Sequence, residues 1–152
     1  MSTMKPATTE DAQLILKLYE LRREEEMRKA RRWYSGEFNP QSVEDVKAVW
    51  FTPQHPHNPH FRMVTTYWDM AASFVVHGAL NGDLLLESST EMVLVWAKIN
   101  DFIEELRQQS GFTTYLSNIE KVIQAHALAQ DRLKWLKELI KTRLQQAQEK
   151  KD

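Results

Sequence analysis

The stretch TTYLSNIEKVIQAHALAQDRLKWLKELIKTRLQQAQ, residues 113–148, decides the fold class. Its apolar side chains return every three or four residues, the spacing that places them on one face of an α-helix. Neither glycine nor proline interrupts it. The pattern therefore predicts one long helix from about Thr113 to Gln148. The positions on its inward face are Leu116, Ile119, Val122, Ile123, His126, Leu133, Leu136, Ile140 and Leu144.

The same spacing predicts helices over about 9–34, 42–51, 61–77 and 89–109, with a short helical piece within 79–87. Ser42, followed by Asp45, resembles a capping box, and Gly78 is placed to end a helix. The chain has only four glycines and five prolines. We expect an all-α fold in a single domain over 1–152, an antiparallel bundle of about four main helices plus short helical pieces and a long C-terminal helix. Residues 1–8 and 146–152 are expected to fray.

Composition excludes several kinds of chemistry. The chain has no cysteine, which excludes disulfides, thiolate metal sites and cysteine nucleophiles. No apolar run approaches the roughly 20 residues that a bilayer requires. The segment Met1–Thr9 has no signal-peptide core, so we expect a cytoplasmic location.

Charge is unevenly distributed, although the net charge is only -1. Arg22–Arg32 holds six basic and three acidic residues, and Arg132–Asp152 holds seven and three. Within Arg22–Arg32, glutamates lie three or four residues from arginine and lysine, a spacing that indicates a solvated helix face with ordinary ion pairs. No nucleic-acid-binding motif accompanies either segment, so a nucleic-acid site is the less favoured interpretation.

The most distinctive local sequence is TPQHPHNPH, residues 52–60. Three prolines disfavour a helix there and predict a loop. Imidazoles bind zinc, copper and nickel, so His55, His57 and His60 form a candidate site for a divalent transition metal. The spacing matches no established ligand motif, and a solvated loop with incidental histidines is the alternative.

The remaining histidines and the aromatic residues have structural explanations. His77 falls where an imidazolium favours a helix C-terminus, and His126 is expected to pack. Trp68 and Trp96 are expected in the core. Trp33–Tyr34 and Trp50–Phe51 either anchor an interface or seal the ends of the bundle.

The long C-terminal helix also predicts an interface. At about 1.5 Å per residue it exceeds 50 Å, more than the other helices readily cover. An uncovered apolar stripe usually pairs with another chain. We therefore predict a homodimer, or a protein partner, bound through Leu133, Leu136, Ile140 and Leu144.

Packing and capping residues over about 61–122 form a recognisable pattern: Tyr67-Trp68, Val75–Leu80, Asp83–Leu85, Trp96 and Phe102–Leu106. Through this pattern the middle of the chain resembles a family of small bacterial helical proteins of unknown function. The resemblance implies an all-α bacterial protein and assigns no activity.

No common catalytic signature is present: the sequence has no GxGxxG, P-loop, GxSxG or paired ExxH motif. We therefore expect a protein that is not an enzyme, with no cofactor, unless the histidine loop binds a metal. The favoured hypothesis is a helical protein-interaction or self-association module. A metal-binding protein is the alternative, and a nucleic-acid-associated protein is a weaker one.

Overall fold

The computed structural model describes residues 5–152, and every regular element within them is helical, which confirms the all-α prediction. No helix in this part of the chain is long and apolar enough to cross a bilayer. In chain order the elements are α1 (Thr9–Leu21), α2 (Glu25–Gly36), α3 (Val43–Trp50), α4 (Asn58–Val76), α5 (Gly82–Ser88), α6 (Glu91–Ile99), a 3₁₀ turn (Asn100–Phe102), α7 (Ile103–Ser110), α8 (Ser117–Ala125) and α9 (Ala127–Glu149).

Helix α4 is the centre of the fold. It contacts α2, α3, α6 and α8, while α9 packs on α6 and α8, and α1 packs on α5. Its inward residues Phe61, Val64, Trp68 and Ala71 are fully buried. Trp96 is also buried, so both tryptophans expected in the core are there. The apolar stripe of α4 is therefore the surface on which the other helices assemble.

The helix caps predicted at Ser42 and Gly78 are present in the structure. The Ser42 hydroxyl accepts a hydrogen bond from the backbone N–H of Asp45 at 3.2 Å, and the Asp45 carboxylate accepts one from the N–H of Gln41. Gly78 follows α4 with a φ of +77°, a left-handed conformation that costs glycine little. Short-range capping chemistry therefore sets the start of α3 and the end of α4.

The single helix predicted over 9–34 is wrong. The chain breaks at residues 22–24, where the Glu24 carboxylate accepts hydrogen bonds from the N–H groups of Glu26 and Met27 and starts α2. Arg22 is buried, although we expected a charged face exposed on most sides. Its guanidinium lies 5.2 Å from the centre of the Trp68 ring. This cation–indole contact, which forms only in the folded chain, accounts for the burial of Arg22 at the corner.

The two C-terminal helices are also divided. A 3₁₀ turn separates α6 from α7 within the predicted 89–109 helix. The long 113–148 helix is broken at His126, whose backbone is extended, and its first turn is absent because helix α8 begins only at Ser117. His126 Nδ1 bonds the carbonyl of Val122 at 2.7 Å and holds the corner between α8 and α9. No glycine or proline marks this corner in the sequence.

The predicted loop over 52–60 ends earlier than expected. Helix α4 begins at Asn58, and Pro59 occupies its first turn, where a missing N–H costs nothing. The Asn58 side chain is buried and donates to the carbonyls of Val49 and Trp50 at 3.0 Å. The loop is thus closed by one amide that joins the end of α3 to the start of α4.

A buried lysine joins α6 to the end of α2. Lys98 is 6% exposed, and its ammonium donates to the carbonyls of Tyr34, Ser35 and Phe38 at 2.7, 3.1 and 2.6 Å. These carbonyls lie at the C-terminal end of α2, where a cation is favourable. Burial lowers the pKa of Lys98 to about 8.

The expected fraying of the two ends is only partly tested. Residues 1–4 lie outside the described part of the chain. The Lys5 carbonyl accepts a hydrogen bond from the Asn81 side chain at 2.8 Å, and Thr8 caps α1. At the other end, α9 stays helical to Glu149, with its last side chains exposed.

Candidate functional site

An open apolar groove lies between the α1–α2 corner and α4. Met63 and Met70 are seven residues apart on α4, which places them on one face, and Met27 of α2 lies opposite. Leu21 and Met70 are 45% and 40% exposed, so apolar surface stays open to solvent. The groove, about 800 Å³ in volume, is called here the methionine groove and is lined by Lys17, Glu20, Leu21, Glu24, Met27, Met63, Thr66, Tyr67 and Met70.

The apolar surface continues across α4. Thr66 and Met70 also line a second depression, whose other wall includes Phe112 and Tyr115. Phe112 is 53% exposed. Exposed apolar residues scattered singly are ordinary, but neighbours that share a groove indicate a binding surface.

The charged rim of the groove is mainly acidic. Glu20 lies 3.7 Å from Lys17, and both side chains are largely exposed. Glu24 holds the start of α2, and hydrogen bonds from the N–H groups of Glu26 and Met27 lower the pKa of its carboxyl. Two carboxylates against one ammonium leave this rim with a net negative charge.

A network of hydrogen bonds holds together the helices that form the groove. The Tyr67 hydroxyl donates to the carbonyl of Leu18 at the end of α1. Next to it, the Trp68 indole N–H donates to Glu91 at 3.0 Å. The two oxygens of the same carboxylate share the single Nε–H of Arg31, each at 2.9 Å from Nε. Hydrogen bonding to Glu91 raises the pKa of Arg31. The network joins α2, α4 and α6, so the groove walls are held in place before any ligand arrives.

A smaller pocket of about 330 Å³ lies between the N-terminal segment and the α8–α9 corner. Its buried carboxylate, Asp11, accepts hydrogen bonds from the N–H groups of Thr8 and Asn81, and these lower the pKa of Asp11. His126 closes the other side, with Nε2 against Gly82. A carbonyl can only accept, so the Val122 bond places the proton on Nδ1. The hydrogen bonds of Asp11 and His126 therefore stabilise the start of α1 and the α8–α9 corner.

The structure brings His55, His57 and His60 together, but not around a common point. His55 Nδ1 accepts a hydrogen bond from the N–H of His57 at 3.0 Å, and His57 stacks on Trp33 with ring centres 4.7 Å apart. His60 Nε2 lies 4.0 Å from a carboxylate oxygen of Glu26. The carboxylates at the start of α3 have other partners, since Glu44 bonds Lys47 and Asp45 accepts from the N–H of Gln41.

The arrangement of His57 and His60 is that of a hydrogen bond. Their Nδ1 atoms are 3.1 Å apart and their ring centres 5.4 Å apart. The distance between ring centres equals the Nδ1–Nδ1 distance plus the centre-to-nitrogen distance within each ring. The two nitrogens therefore point straight at each other. Metal ligands instead point at a third position. Within residues 5–152, no group of three or more His, Asp or Glu side chains could hold a metal ion. Metal binding by the loop therefore stays a prediction that this arrangement does not favour.

The side chains predicted to form an interface on the C-terminal helix lie on its packed side, so binding through them stays a prediction that this packing does not favour. Leu133, Leu136 and Ile140 pack against the core, and Leu144 is half-buried beside α6. They are covered because α9 lies on α6 and α8. On the opposite face, Trp135 is 58% exposed.

The two aromatic pairs at helix ends, Trp33–Tyr34 and Trp50–Phe51, differ in burial. Trp33 and Tyr34 are buried and seal the bundle. Trp50 stacks on Tyr115 with ring centres 4.1 Å apart, while Phe51 remains 39% exposed.

Sequence reasoning missed the methionine groove altogether. A usable signal was present, because Met63 and Met70 repeat at two helical turns on α4 outside its buried stripe. Their pairing with Met27 across the α1–α2 break was not readable, since the break itself was not predicted.

Comparison with known proteins gives one match. The model of a family described as a domain of unknown function, DUF4760, matches residues 7–125, from the segment before α1 to the end of α8. No curated protein and no solved structure matches the chain.

Proposed function

The chain belongs to the DUF4760 family of unknown function, and from that premise we propose that it is a non-enzymatic interaction module whose methionine groove binds an amphipathic helix of a partner protein. The observation that carries the proposal is an open, methionine-lined groove on a rigid helical frame. A bacterial cytoplasmic setting is part of the proposal.

The lining of the groove suits a helix. Methionine side chains are unbranched and polarizable, so they adapt to apolar side chains of varied shape. Helix-in-groove recognition uses such surfaces, with anchors at positions i, i+3, i+4 and i+7 of the ligand. Met63 and Met70, two turns apart on α4, provide a wall of matching length.

The rim specifies the charge of the partner. Glu20 and Glu24 outnumber Lys17 along the α1–α2 side. A helix with basic residues beside its apolar face would complement these carboxylates, which favours encounter and sets orientation more than it adds affinity. We therefore propose a basic amphipathic helix as the ligand.

A non-enzymatic role is supported by the saturation of the polar clusters. The Glu91 carboxylate is occupied by Arg31 and Trp68, and Asp11 by Thr8 and Asn81. In neither cluster does a nucleophile face a base. Such networks stabilise helix corners, whereas catalysis needs groups that converge on a substrate.

The test is a titration with a synthetic amphipathic helical peptide that has leucines on one face and lysines on its flanks. Fluorescence anisotropy of the labelled peptide should show saturable binding to the full chain. A peptide with the same leucines and glutamate flanks should bind more weakly, and the difference should shrink with added salt.

Two variants locate the binding surface. Met70→Asp places a charge in the groove and should reduce affinity at least about tenfold, since a desolvated charge costs more than 1.4 kcal/mol. Leu16→Asp is the matched control, because Leu16 is 64% exposed on α1 and does not line the groove. Equal binding by both variants, or no binding of the basic peptide to the wild type, would contradict the proposal.

A further inference from the structure

The outward face of α9 carries an apolar seam that the fold leaves uncovered. Leu128 and Trp135 are 37% and 58% exposed and lie seven residues apart, on one line of the helix. Leu139, which packs partly against the core, borders the same line with its remaining exposed surface. Exposed tryptophan at mid-helix is unusual, and tryptophan is the residue that most often dominates binding energy at interfaces.

A row of charges of alternating sign flanks this seam. Asp131, Lys134, Glu138 and Lys141 are all exposed and follow each other at spacings of three, four and three residues on one side of α9. In the described part of the chain, none of the four forms an ion pair with another residue, whereas the neighbouring Lys137 pairs with Asp101. Their order of signs is minus, plus, minus, plus.

This order is self-complementary when the helix is reversed. If two copies of α9 pack antiparallel about a two-fold axis at residue 136, Asp131 faces Lys141 and Lys134 faces Glu138. Each of these two pairings forms twice, so every one of the eight side chains meets one opposite charge. In a parallel pair the two rows would lie on opposite sides of the seam, so these charges would not face each other.

The same axis brings the apolar seam together. Trp135 lies one residue from the axis, so the two indoles are separated by only about 3 Å along the helix direction. Leu139 of each copy then falls beside the indole of the other. The charges select the direction of pairing, and the indoles supply most of the binding energy, because exposed ion pairs contribute little.

We propose that the chain forms a two-fold symmetric homodimer through the outward face of α9, with the helices antiparallel and Trp135 at the centre. This surface is separate from the methionine groove and lies beyond the matched family segment, which ends at residue 125. The dimer therefore stands or fails independently of helix binding in the groove. It would display two grooves, one on each copy.

Sedimentation of the full chain over a wide concentration range tests the dimer. The wild type should show a monomer–dimer equilibrium, and Trp135→Ala should raise the dissociation constant at least about tenfold, the usual loss at an interface hot spot. Phe112→Ala is the matched control, since Phe112 is similarly exposed but remote in sequence from α9. Helical circular dichroism of each variant checks that the fold is intact.

Charge reversal tests the direction of the pairing. Lys134→Glu should weaken the dimer several-fold by facing Glu138 with a like charge. Adding Glu138→Lys should restore it, because the reversed pair is again complementary between antiparallel copies. A wild type that is monomeric throughout, a dimer unaffected by Trp135→Ala, or a double variant no tighter than the single one would overturn the proposal.

Discussion

The substitution Gly82→Ala probes the corner at which α9 turns away from α8. Gly82 begins α5, and a Cβ there would lie 2.5 Å from Nε2 and 2.8 Å from Cε1 of His126, and 3.0 Å from a methyl carbon of Val75. The imidazole is held on its other side by the 2.7 Å hydrogen bond to Val122. Alanine can therefore be accommodated only if the ring that holds this corner moves.

The size of the effect follows from that displacement. The ring must retreat from 2.5 Å to at least 3.4 Å, where ordinary contact begins. Overpacking of this kind costs about 1–3 kcal/mol, and release of the hydrogen bond instead would cost about 1 kcal/mol. Alanine regains little of the about 0.5–1 kcal/mol that glycine costs in the middle of a helix, because Gly82 is the first residue of α5. We expect a net loss of about 1–2 kcal/mol.

Urea denaturation measures this loss as a lower midpoint with an unchanged slope. Thermal unfolding should show a decrease of about 2–8 °C, at roughly 2–4 °C per kcal/mol for a chain of this size. Gly36→Ala is the matched control, since nothing lies within 4 Å of a Cβ at that position. It should leave stability unchanged or raise it slightly.

A double-mutant cycle with His126→Ala isolates the contact. In that background Gly82→Ala should become neutral or stabilising, because the imidazole is gone. The reasoning is refuted if Gly82→Ala is harmless in the wild-type chain, or if it costs the same with and without His126.

Three further predictions concern the polar groups. Glu91→Ala removes the acceptor shared by the buried Trp68 indole N–H and the partly exposed Arg31 guanidinium, and should lower the free energy of unfolding by about 1–3 kcal/mol in urea titrations; a loss below about 0.5 kcal/mol would show that the network contributes no stability. Burial lowers the pKa of Lys98 to about 8, below its value in the unfolded chain. Above pH 8 the unfolded chain therefore binds more protons than the folded chain, and the free energy of unfolding should rise with pH relative to that of Lys98→Met. Above pH 10 the raised pKa of buried Tyr34 acts in the opposite direction, because the unfolded chain loses that proton first; a pH-independent difference between the wild type and Lys98→Met would contradict the lysine assignment. Elemental analysis of protein without a histidine tag should find no stoichiometric transition metal, and a metal lost on His57→Ala would restore the metal hypothesis.

Pattern and composition determined the class of the fold. Apolar spacing is a local property of the chain, and helices need no partner strand, so the all-helical architecture and most helix positions followed from it. Capping is equally local, which is why Ser42 and Gly78 ended up where predicted. The absence of cysteine also settled which thiol chemistry the chain lacks.

Tertiary structure decided where the long helices break and which faces remain open. The corners at Arg22 and His126 contain no glycine or proline. Each has a long-range contact that exists only after folding, between Arg22 and Trp68 and between His126 and Gly82. Because the corner at Arg22 was not predicted, the groove between α1–α2 and α4 was not predicted either. Which face of α9 stays open was also not readable from the sequence, since a periodic stripe shows that one side is buried but not what buries it. In the folded chain α6 and α8 cover that stripe, and Trp135 is left facing solvent.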